Sequence, residues 1–400
     1  MTVGSQAAVP AKPWAQQQLD YERAWRFGTG EGQRVAVIDT GVSKNPRLTV
    51  VAGGDYVDKA GDGTTDCDAH GSVVASIIGA KPSAADRTGY AGVAPGAQIL
   101  SIRQYSAHYR PAAAPVAGRP EVVGYGNVAT LASAVVWAAD SGASIINISE
   151  AACGLAGQPL AKDAVLGAAL QYAVDVKDVV VVAAAGNTQP GTECAVQNDP
   201  TGAPPRISTV ASPAWYDDYV LTVGSVDRNG DPSDFSLAGP WVDVAAPGTE
   251  IVSLNPASAD PPLVERVGGP SGQQPIQGTS FAAPYVAGTV ALVRQHLPTL
   301  TARQVMARVE ATARAPAAGW NPRVGHGVVD PVAAVTDVLP ADVAPAVNRA
   351  SIPLPALPAF AATDTRPRTV AFVGSAAGLG AVLVTYAVLD AVRRSRRHRT

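Results

Sequence analysis

Short apolar runs that alternate with alanine-rich helical stretches are the feature that most constrains the fold of this chain. The runs are rich in β-branched residues, and the segments between them have helical period. Strands of this kind, separated by helices, predict a mainly parallel sheet covered on both faces and hence an α/β protein. Sites in such sheets gather at the carboxyl ends of the strands. The runs are "QRVAVID" (33–39), "AQILSIR" (97–103), "GASIINIS" (142–149), "DVVVVAAAGN" (178–187) and "YVLTVGSV" (219–226).

The composition agrees with one large domain and appendages. The chain has 400 residues, 47% of them apolar, and its 39 glycines and 33 prolines follow no period. This excludes collagen and full disorder. From Arg366 onward seven arginines oppose one aspartate, so the tail carries +6 and residues 1–365 carry −9 of the net −3. An acidic body argues against nucleic acid binding, and the basic tail indicates a nearby membrane.

The C-terminal segment predicts a membrane anchor. Residues 340–368 contain six prolines and form a predicted linker, followed by a predicted transmembrane helix at 369–392 whose first 21 residues carry no charge. Such a length spans a hydrocarbon core of about 30 Å. The alternative, a buried helix of the domain, fits poorly with the arginines of the predicted cytoplasmic tail, 393–400. The positive-inside rule places this tail in the cytoplasm and residues 1–368 outside the cell membrane.

The N-terminus does not match the predicted topology. An extracytoplasmic domain requires an export signal, but "MTVGSQAAVPAKPW" has neither a basic n-region nor an apolar h-region. We expect that the natural start lies further upstream or that the signal has been left off. Residues 1–24 are assigned to an N-terminal extension, and whether they block a cleft stays open.

Three residues have the types required for catalysis by a serine nucleophile. Ser280, in "GTSFAAPYVAG", lies between small residues and ahead of a proline, as expected for a serine held tightly at a helix start. Serine needs a base that takes its proton and an acid that orients the base. His70, in "DAHGSVVASIIGA", and Asp39, at the end of a strand, are candidates. Taken singly, such a histidine is more often structural, and acids often end strands before a glycine turn.

Four segments together resemble the subtilisin-like serine proteases. "VAVIDTGV", "HGSVVASIIGA", "AAAGN" and "GTSFAAPYVAG" match that family in content, order and approximate spacing. The order Asp, His, Ser is that of subtilisin rather than of chymotrypsin or the α/β-hydrolases. The resemblance runs from about Trp25 to "GHGVVDPVAAV", near residue 335. It implies a peptidase domain at 25–339 with a three-layer α/β fold around a mainly parallel, twisted sheet.

The resemblance implies a role for each matching residue. Asp39 corresponds to the acid that holds His70 in the right tautomer, and His70 to the general base and acid. Ser280 corresponds to the nucleophile that forms an acyl-enzyme with a polypeptide substrate. Asn187, which ends "VVVVAAAGN", corresponds to the side-chain donor of the oxyanion hole, acting with the backbone N–H of Ser280.

The predicted substrate-binding strand departs from the family pattern. Residues 142–149 resemble the strand whose edge pairs with an extended peptide. The family usually continues Ser-Leu-Gly, whereas here Ser149 is followed by Glu150 and Ala151. Two interpretations stay open, namely that Glu150 selects a basic side chain at the mouth of the specificity pocket, or that it only faces solvent. Substrate preference is therefore left open.

Within the family the chain is most similar to the mycosins, subtilases attached to the type VII secretion systems of mycobacteria and relatives. The similarity lies in the predicted domain order and in "DCDAHG" and "SEAACG". It implies processing of secreted proteins and association with a type VII secretion membrane complex. Two alternatives stay open. One alternative is that the chain is a structural scaffold of that complex with dispensable proteolysis. The other is that it is an acyl transferase or peptide ligase with a subtilase fold.

The three cysteines predict one disulfide. In a subtilase sheet the strands before Cys153 and Cys194 are neighbours, so the resemblance implies that these two pair, while two free thiols are the alternative. Cys67, three residues before His70, has no evident partner. If the natural chain starts further upstream, its partner cysteine could lie in the missing N-terminal piece. We predict no metal site, because the chain lacks CxxC and HxxxH spacings. No cofactor is predicted, and a structural calcium ion, common among subtilases, stays open.

Overall fold

The computed structural model describes residues 12–109, 126–158, 163–190, 192–199, 201, 206–258, 263–269, 272–317 and 319–340. The predicted linker (apart from Pro340), transmembrane helix and cytoplasmic tail lie outside these residues. Among the helices of the described residues, none combines the length and apolarity needed to cross a membrane.

Helices and strands alternate along the described chain as the apolar runs predict. The helices are α1 (Trp14–Leu19), α2 (His70–Gly79), α3 (Val128–Asp140), α4 (Asp163–Gln171), α5 (Thr279–His296), α6 (Ala302–Ala311) and α7 (Pro331–Thr336), with a 3-10 helix at Tyr21–Phe27 and a π-helical turn at Tyr172–Val176. The strands are β1 (Arg34–Asp39), β2 (Val50–Asp55), β3 (Gln98–Arg103), β4 (Ile145–Ile148), β5 (Ala152–Leu155), β6 (Val180–Ala184), β7 (Thr209–Ser212), β8 (Leu221–Val226), β9 (Val244–Pro247), β10 (Ser253–Leu254), β11 (Leu263–Val264), β12 (Arg266–Gly269) and β13 (Gly272–Pro275).

The main sheet of the described residues is parallel throughout, with strand order β2-β3-β1-β4-β6-β8-β9. All residues of β4, β6 and β8 are buried. Burial of successive residues on both sides of a strand is expected when helices cover both faces of a parallel sheet. The predicted sheet and its α/β class are therefore confirmed.

Two groups of helices cover this sheet. Helix α5 packs against α2 and against β4, β6, β8 and β9. Helices α3 and α4 pack against each other, and α3 also contacts β1, β3 and β4. Helix α2 follows β2 in the chain, and α5 follows the β12–β13 hairpin. His70 at the start of α2 contacts Asp39 at the carboxyl end of β1. The backbone N–H of Gly278, just before α5, donates to the Gly248 carbonyl just after β9, so both helix starts lie at the carboxyl edge of the sheet.

The described part of the N-terminal extension packs on the domain. Leu19 and Tyr21 are 1% exposed and belong to the main hydrophobic core. The Tyr21 hydroxyl donates to the Ala91 carbonyl at 2.7 Å, and Trp25 Nε1 donates to the Val93 carbonyl at 2.8 Å. These contacts join residues 14–25 to the segment after α2, so their apolar side chains are part of the fold of the peptidase domain.

Regular structure also occurs in two stretches, 188–215 and 255–276, that look irregular in sequence. The first contains β7, which pairs antiparallel with β5. The second contains β11, which pairs with β10, and the β12–β13 hairpin. Short strands of two to four residues give too little period for a sequence pattern to reveal them.

Candidate active site

Asp39 and His70 form a hydrogen-bonded pair at the carboxyl edge of the sheet. Asp39 is the last residue of β1 and is fully buried, whereas the His70 side chain is 25% exposed at the first position of α2. His70 Nδ1 lies 2.7 Å from Asp39 Oδ1, which also accepts from the Thr40 backbone N–H at 2.7 Å. A protonated Nδ1 donates to the carboxylate at this distance, and Nε2 is then the nitrogen that can accept a proton.

A second buried acid, Asp66, shapes the turn that presents His70. Its Oδ1 accepts from the Thr40 hydroxyl at 2.9 Å and from the Ala69 backbone N–H at 2.8 Å. Its Oδ2 accepts from the backbone N–H and the hydroxyl of Ser72, at 2.9 and 2.6 Å. Ala69 has a positive φ of 70°, which these bonds hold in place. Asp66 was not predicted from the sequence, because it lies three residues before the N-cap Ala69, whereas a capping signal marks the residue directly before the helix.

Close backbone contact joins the histidine turn to the strand that carries Asp39. A Cβ atom on Gly71 would lie 2.1 Å from the Gly41 carbonyl oxygen and 3.1 Å from Asp39 Cβ. No side chain fits there without a shift of the backbone, so position 71 requires glycine. The glycine after His70 thus fixes the distance between the two elements that carry the acid and the base.

Ser280 occupies the second position of α5, and Asn187 lies beside the start of that helix. Asn187 Oδ1 accepts from the backbone N–H and the hydroxyl of Thr279, at 2.9 and 3.1 Å. Its amide Nδ2 is thereby left as the donor near Gly278, whose φ of 146° favours glycine. The helix N-terminus adds partial positive charge at the same place. Amide N–H groups collected at one point can stabilise a developing oxyanion.

The proline of "GTSFAAP" explains the position of Ser149. Pro284 lies four residues after Ser280 and has no N–H, so the Ser280 carbonyl loses its normal helical partner. The Ser149 hydroxyl donates to that carbonyl at 2.8 Å, and Asn147 Nδ2 donates to the Ser149 oxygen at 2.9 Å. Both Ser149 and Asn147 are buried. The predicted substrate strand therefore also holds the backbone of the candidate nucleophile.

Glu150 lies beside His70. Its Oε1 is 3.8 Å from His70 Nδ1, and its side chain is 33% exposed. Burial raises the pKa of Glu150, the charge of His70 lowers it, and Asp39 and Asp68 raise it further. Glu150 therefore contacts the surroundings of His70 and does not face solvent alone, as one of the two interpretations of the sequence had it.

Several acids control the protonation of His70. Burial lowers the pKa of His70, but the charge of Asp39 and the hydrogen bond to it outweigh burial. The charges of Glu150 and Asp66 act in the same direction as Asp39, so the pKa of His70 lies above its ordinary value. An imidazole in this setting keeps its proton to higher pH than a free histidine.

Asp39, His70 and Glu150 form the one cluster of ligand-type side chains among the described residues, but the hydrogen bond to Asp39 already uses the ring nitrogen that a metal ion would need. Ligand-type atoms of Asp39, His70 and Glu150 lie within 4.8 Å of one another. Nδ1 must lose its proton to bind a metal, because a metal ligand is a neutral nitrogen with a free lone pair. A metal ion at this position would therefore replace the hydrogen bond between His70 and Asp39.

A disulfide closes the region after the predicted substrate strand. Cys153 and Cys194 are joined, with Cα atoms 5.3 Å apart, which is the pairing that the subtilase resemblance implies. Cys153 lies on β5, and its partner lies in the loop after Asn187. Cys67 is partly buried, and within the described residues it has no disulfide partner. The disulfide ties the segment after Glu150 to the segment after Asn187.

Comparison with known proteins agrees with this geometry. The family model "Subtilase family" (Peptidase S8) matches residues 30–327. The chain belongs to the subtilase family. The predicted resemblance is thus confirmed, as are the subtilisin-like fold and the class of serine protease.

Among its relatives the chain is similar to the mycosins. Mycosin-4 of Mycobacterium tuberculosis is 50% identical over 388 residues, which cover 95% of this chain and 82% of that protein. A structure of MycP1, described as a serine protease and an essential component of the type VII (ESX-1) secretion system, is 46% identical with a TM-score of 0.76. It covers 84% of this chain and 91% of its own. A chain in the structure of an intact ESX-5 inner membrane complex is 40% identical with a TM-score of 0.78 and covers 98% of this chain and 93% of its own.

Proposed function

We propose that this subtilase is a membrane-anchored serine endopeptidase that uses Asp39, His70 and Ser280 to hydrolyse peptide bonds of secreted proteins. The observation that carries the proposal is the 2.7 Å contact between His70 Nδ1 and Asp39 Oδ1 at the sheet edge that also holds the start of α5. This contact leaves Nε2 of His70 free to act as the base. Membership of the subtilase family supports the same roles.

The proposed reaction follows from these groups. The Ser280 hydroxyl attacks the peptide carbonyl carbon, and His70 Nε2 takes the hydroxyl proton as the Oγ–C bond forms. Asn187 Nδ2 and the backbone N–H of Ser280 stabilise the oxyanion. The C–N bond then breaks, and His70 returns the proton to the leaving amine. Water hydrolyses the acyl-enzyme by the same steps in reverse order, which restores the serine.

We infer the cellular setting from the relatives and from the C-terminal sequence. One similar structure is described as a component of a type VII secretion system and another belongs to an inner membrane complex, which supports a role beside a secretion channel. The uncharged segment within 369–392 and the arginines after it support a single span with the domain outside. A fully extended linker of this length reaches roughly 90 Å, enough for the domain to act on a neighbouring channel.

Fluorophosphonate labelling of the membrane fraction tests the catalytic proposal. The wild-type chain should be labelled, and Ser280→Ala should not, because the probe forms a bond to the activated serine oxygen. Ser133→Ala is the matched control, since Ser133 is exposed on α3 and bonds only its own helix. Equal labelling of wild type and Ser280→Ala would show that the assignment is wrong.

Protease protection tests the proposed topology. Protease added outside cells with a permeabilised outer envelope should remove the domain and spare a tag fused after Thr400. Digestion of that tag from outside, or release of the full chain by a salt wash, would contradict the single-span anchor.

A structural scaffold is the second candidate function, and the likeness to a chain within an intact ESX-5 inner membrane complex favours it. The two functions differ in what the Ser280→Ala variant does in cells that lack the wild-type gene. A scaffold predicts that this variant restores both complex assembly and substrate secretion. A protease predicts uncleaved substrate, whatever the state of the complex.

A further inference from the structure

We propose that Glu150 is a positioning residue that sets the pH range in which His70 can accept the proton of Ser280. The proposal rests on the proposed triad and adds to it a second acid. The Glu150 carboxylate approaches the same ring nitrogen that contacts Asp39, with Oε1 3.8 Å from Nδ1. The "SEAACG" segment thus places a carboxylate beside the candidate base.

Strand register explains why residue 150 is next to the histidine. Ile148 at the end of β4 pairs with Ile38 on β1, one residue before Asp39. The chain beyond β4 therefore emerges next to the acid of the pair. The buried Ser149 is fixed to the Ser280 carbonyl, which holds the following residue at the edge of the site. Glu150 is thus held by the backbone against the Nδ1 side of the imidazole.

The surroundings of His70 are acidic on several elements. Asp39 ends β1, Asp66 and Asp68 lie in the loop before α2, and Glu150 follows β4. Phe281 on α5 covers the imidazole with an uncharged ring, with centroids 5.0 Å apart. Further titratable groups among the described residues near Glu150 and Asp68 are the Cys67 thiol, next to Asp68 in the chain, and two others. Tyr105 has a pKa raised by burial and then by these two acids, and His108 Nε2 lies 3.8 Å from Asp68 Oδ1.

The sign of the effect follows from the charges. An ionised Glu150 stabilises the imidazolium and raises the pKa of His70, so the neutral base becomes available only at higher pH. Replacing Glu150 by glutamine removes that charge and keeps the shape. The acid limb of the pH–rate profile should then move to lower pH. The plateau rate should fall, because the imidazolium formed during reaction loses a stabilising charge.

The test is the pH dependence of fluorophosphonate labelling of the full-length, membrane-bound chain. In this reaction the Ser280 oxygen forms a bond to phosphorus, fluoride leaves, and His70 takes the hydroxyl proton. A neutral probe with no basic side chain reports on His70 without reporting on substrate selection. Wild type is compared with Glu150→Gln, the charge-keeping Glu150→Asp, and Glu265→Gln, a glutamate between β11 and β12.

We expect the midpoint of the acid limb to fall by about one pH unit in Glu150→Gln. It should stay near the wild-type value in Glu150→Asp and unchanged in Glu265→Gln. An unchanged midpoint in a folded Glu150→Gln protein overturns the proposal. If cleavage after Lys or Arg falls in that variant while the midpoint stays, the glutamate recognises substrate and the proposal is equally wrong.

A second measurement separates this proposal from the proposed function. Histidine labelled with an NMR-active carbon isotope gives a titration curve for His70, identified by its absence in His70→Ala. This curve should shift to lower pH in Glu150→Gln, whether or not Ser280 reacts with the probe. Absence of labelling in wild type would therefore defeat the triad, and an unshifted titration would defeat the role of Glu150.

Discussion

The two halves of the candidate site are built in different ways. The acid–base half consists of Asp39, Asp66 and His70. It is held by hydrogen bonds in which the two carboxylates accept from His70 and from residues of the neighbouring loops. Asp39 and Asp66 are both 1% exposed or less. Two carboxylates at such depth interact strongly with any nearby charge, because little water screens them. This half therefore responds mainly to pH and to changes of charge.

The nucleophile half consists of Ser149, Asn187 and Ser280. Neutral groups hold it, and its geometry depends on two residues, a glycine and a proline, that lack an atom other residues have. Gly278 supplies a backbone conformation without a Cβ atom, and Pro284 leaves a carbonyl without its helical donor. The Ser149 hydroxyl fills that place. This half therefore responds mainly to geometry, and changes made in it should alter the rate without moving the pH dependence.

The largest expected effect of the three that follow is that of Asp39→Asn. An asparagine amide can donate to Nδ1 and thereby favour the wrong tautomer, which costs about 10⁴-fold in rate in a Ser-His-Asp enzyme. Loss of the charge also lowers the pKa of His70, so the remaining activity should extend to lower pH. Fluorophosphonate labelling rates across a pH series measure both effects. A fall of less than tenfold would show that Asp39 does not orient the base.

A smaller effect is expected from Asn187→Ala in the nucleophile half. Removal of one oxyanion-hole donor costs about 100- to 1000-fold, a range known from a subtilisin. The midpoint of the pH profile should not change, because Asn187 carries no charge. The same labelling series measures both quantities, with Asn229→Ala, an exposed turn residue, as control. A shifted midpoint would contradict the division of the site into two differently built halves.

The sequence was sufficient for the sheet and for the residues that motifs mark. Each of the five apolar runs contains a strand of the main sheet, because buried parallel strands need continuous apolar residues. The segments around Asp39, His70 and Ser280 are recognisable because glycine and small residues are required there. Gly71, with no room for a Cβ atom, is one such position.

The neighbours of these residues could not be read from the sequence. The direction of Glu150 depends on the register between β1 and β4 and on the bond from Ser149 to α5, which connect segments far apart in the chain. Asp66 is one of several acids in "GDGTTDCD", and only the fold selects which of them is buried. Long-range contacts of this kind leave no local period.

The smallest of the three effects is expected from Asp66→Asn, and it is measured as a change in the stability of the fold. Burial raises the pKa of Asp66 from 3.8 to about 6, against the hydrogen bonds from Ser72 and Thr40 that lower it. Since the folded-state pKa lies above the unfolded value, the folded chain binds this proton more tightly between those values. Stability from this group therefore falls as pH rises from 3.8 to about 6 and stays lower above that range.

Asparagine does not titrate, so this pH dependence should disappear in Asp66→Asn. Measured by urea unfolding of the full chain, the free energy of unfolding of the variant minus that of wild type should rise by up to about 3 kcal/mol across the window. A constant offset is expected beneath this change, because the amide nitrogen cannot accept from the Ser72 backbone N–H.

Asp62→Asn is the matched control: the pKa of Asp62 is lowered by bonds from Thr64, so Asp62 is ionised throughout the window. If both variants kept a constant difference from wild type at every pH, the pKa of Asp66 would not be raised in the folded chain, and Asp66 would stabilise the turn before His70 by its hydrogen bonds alone.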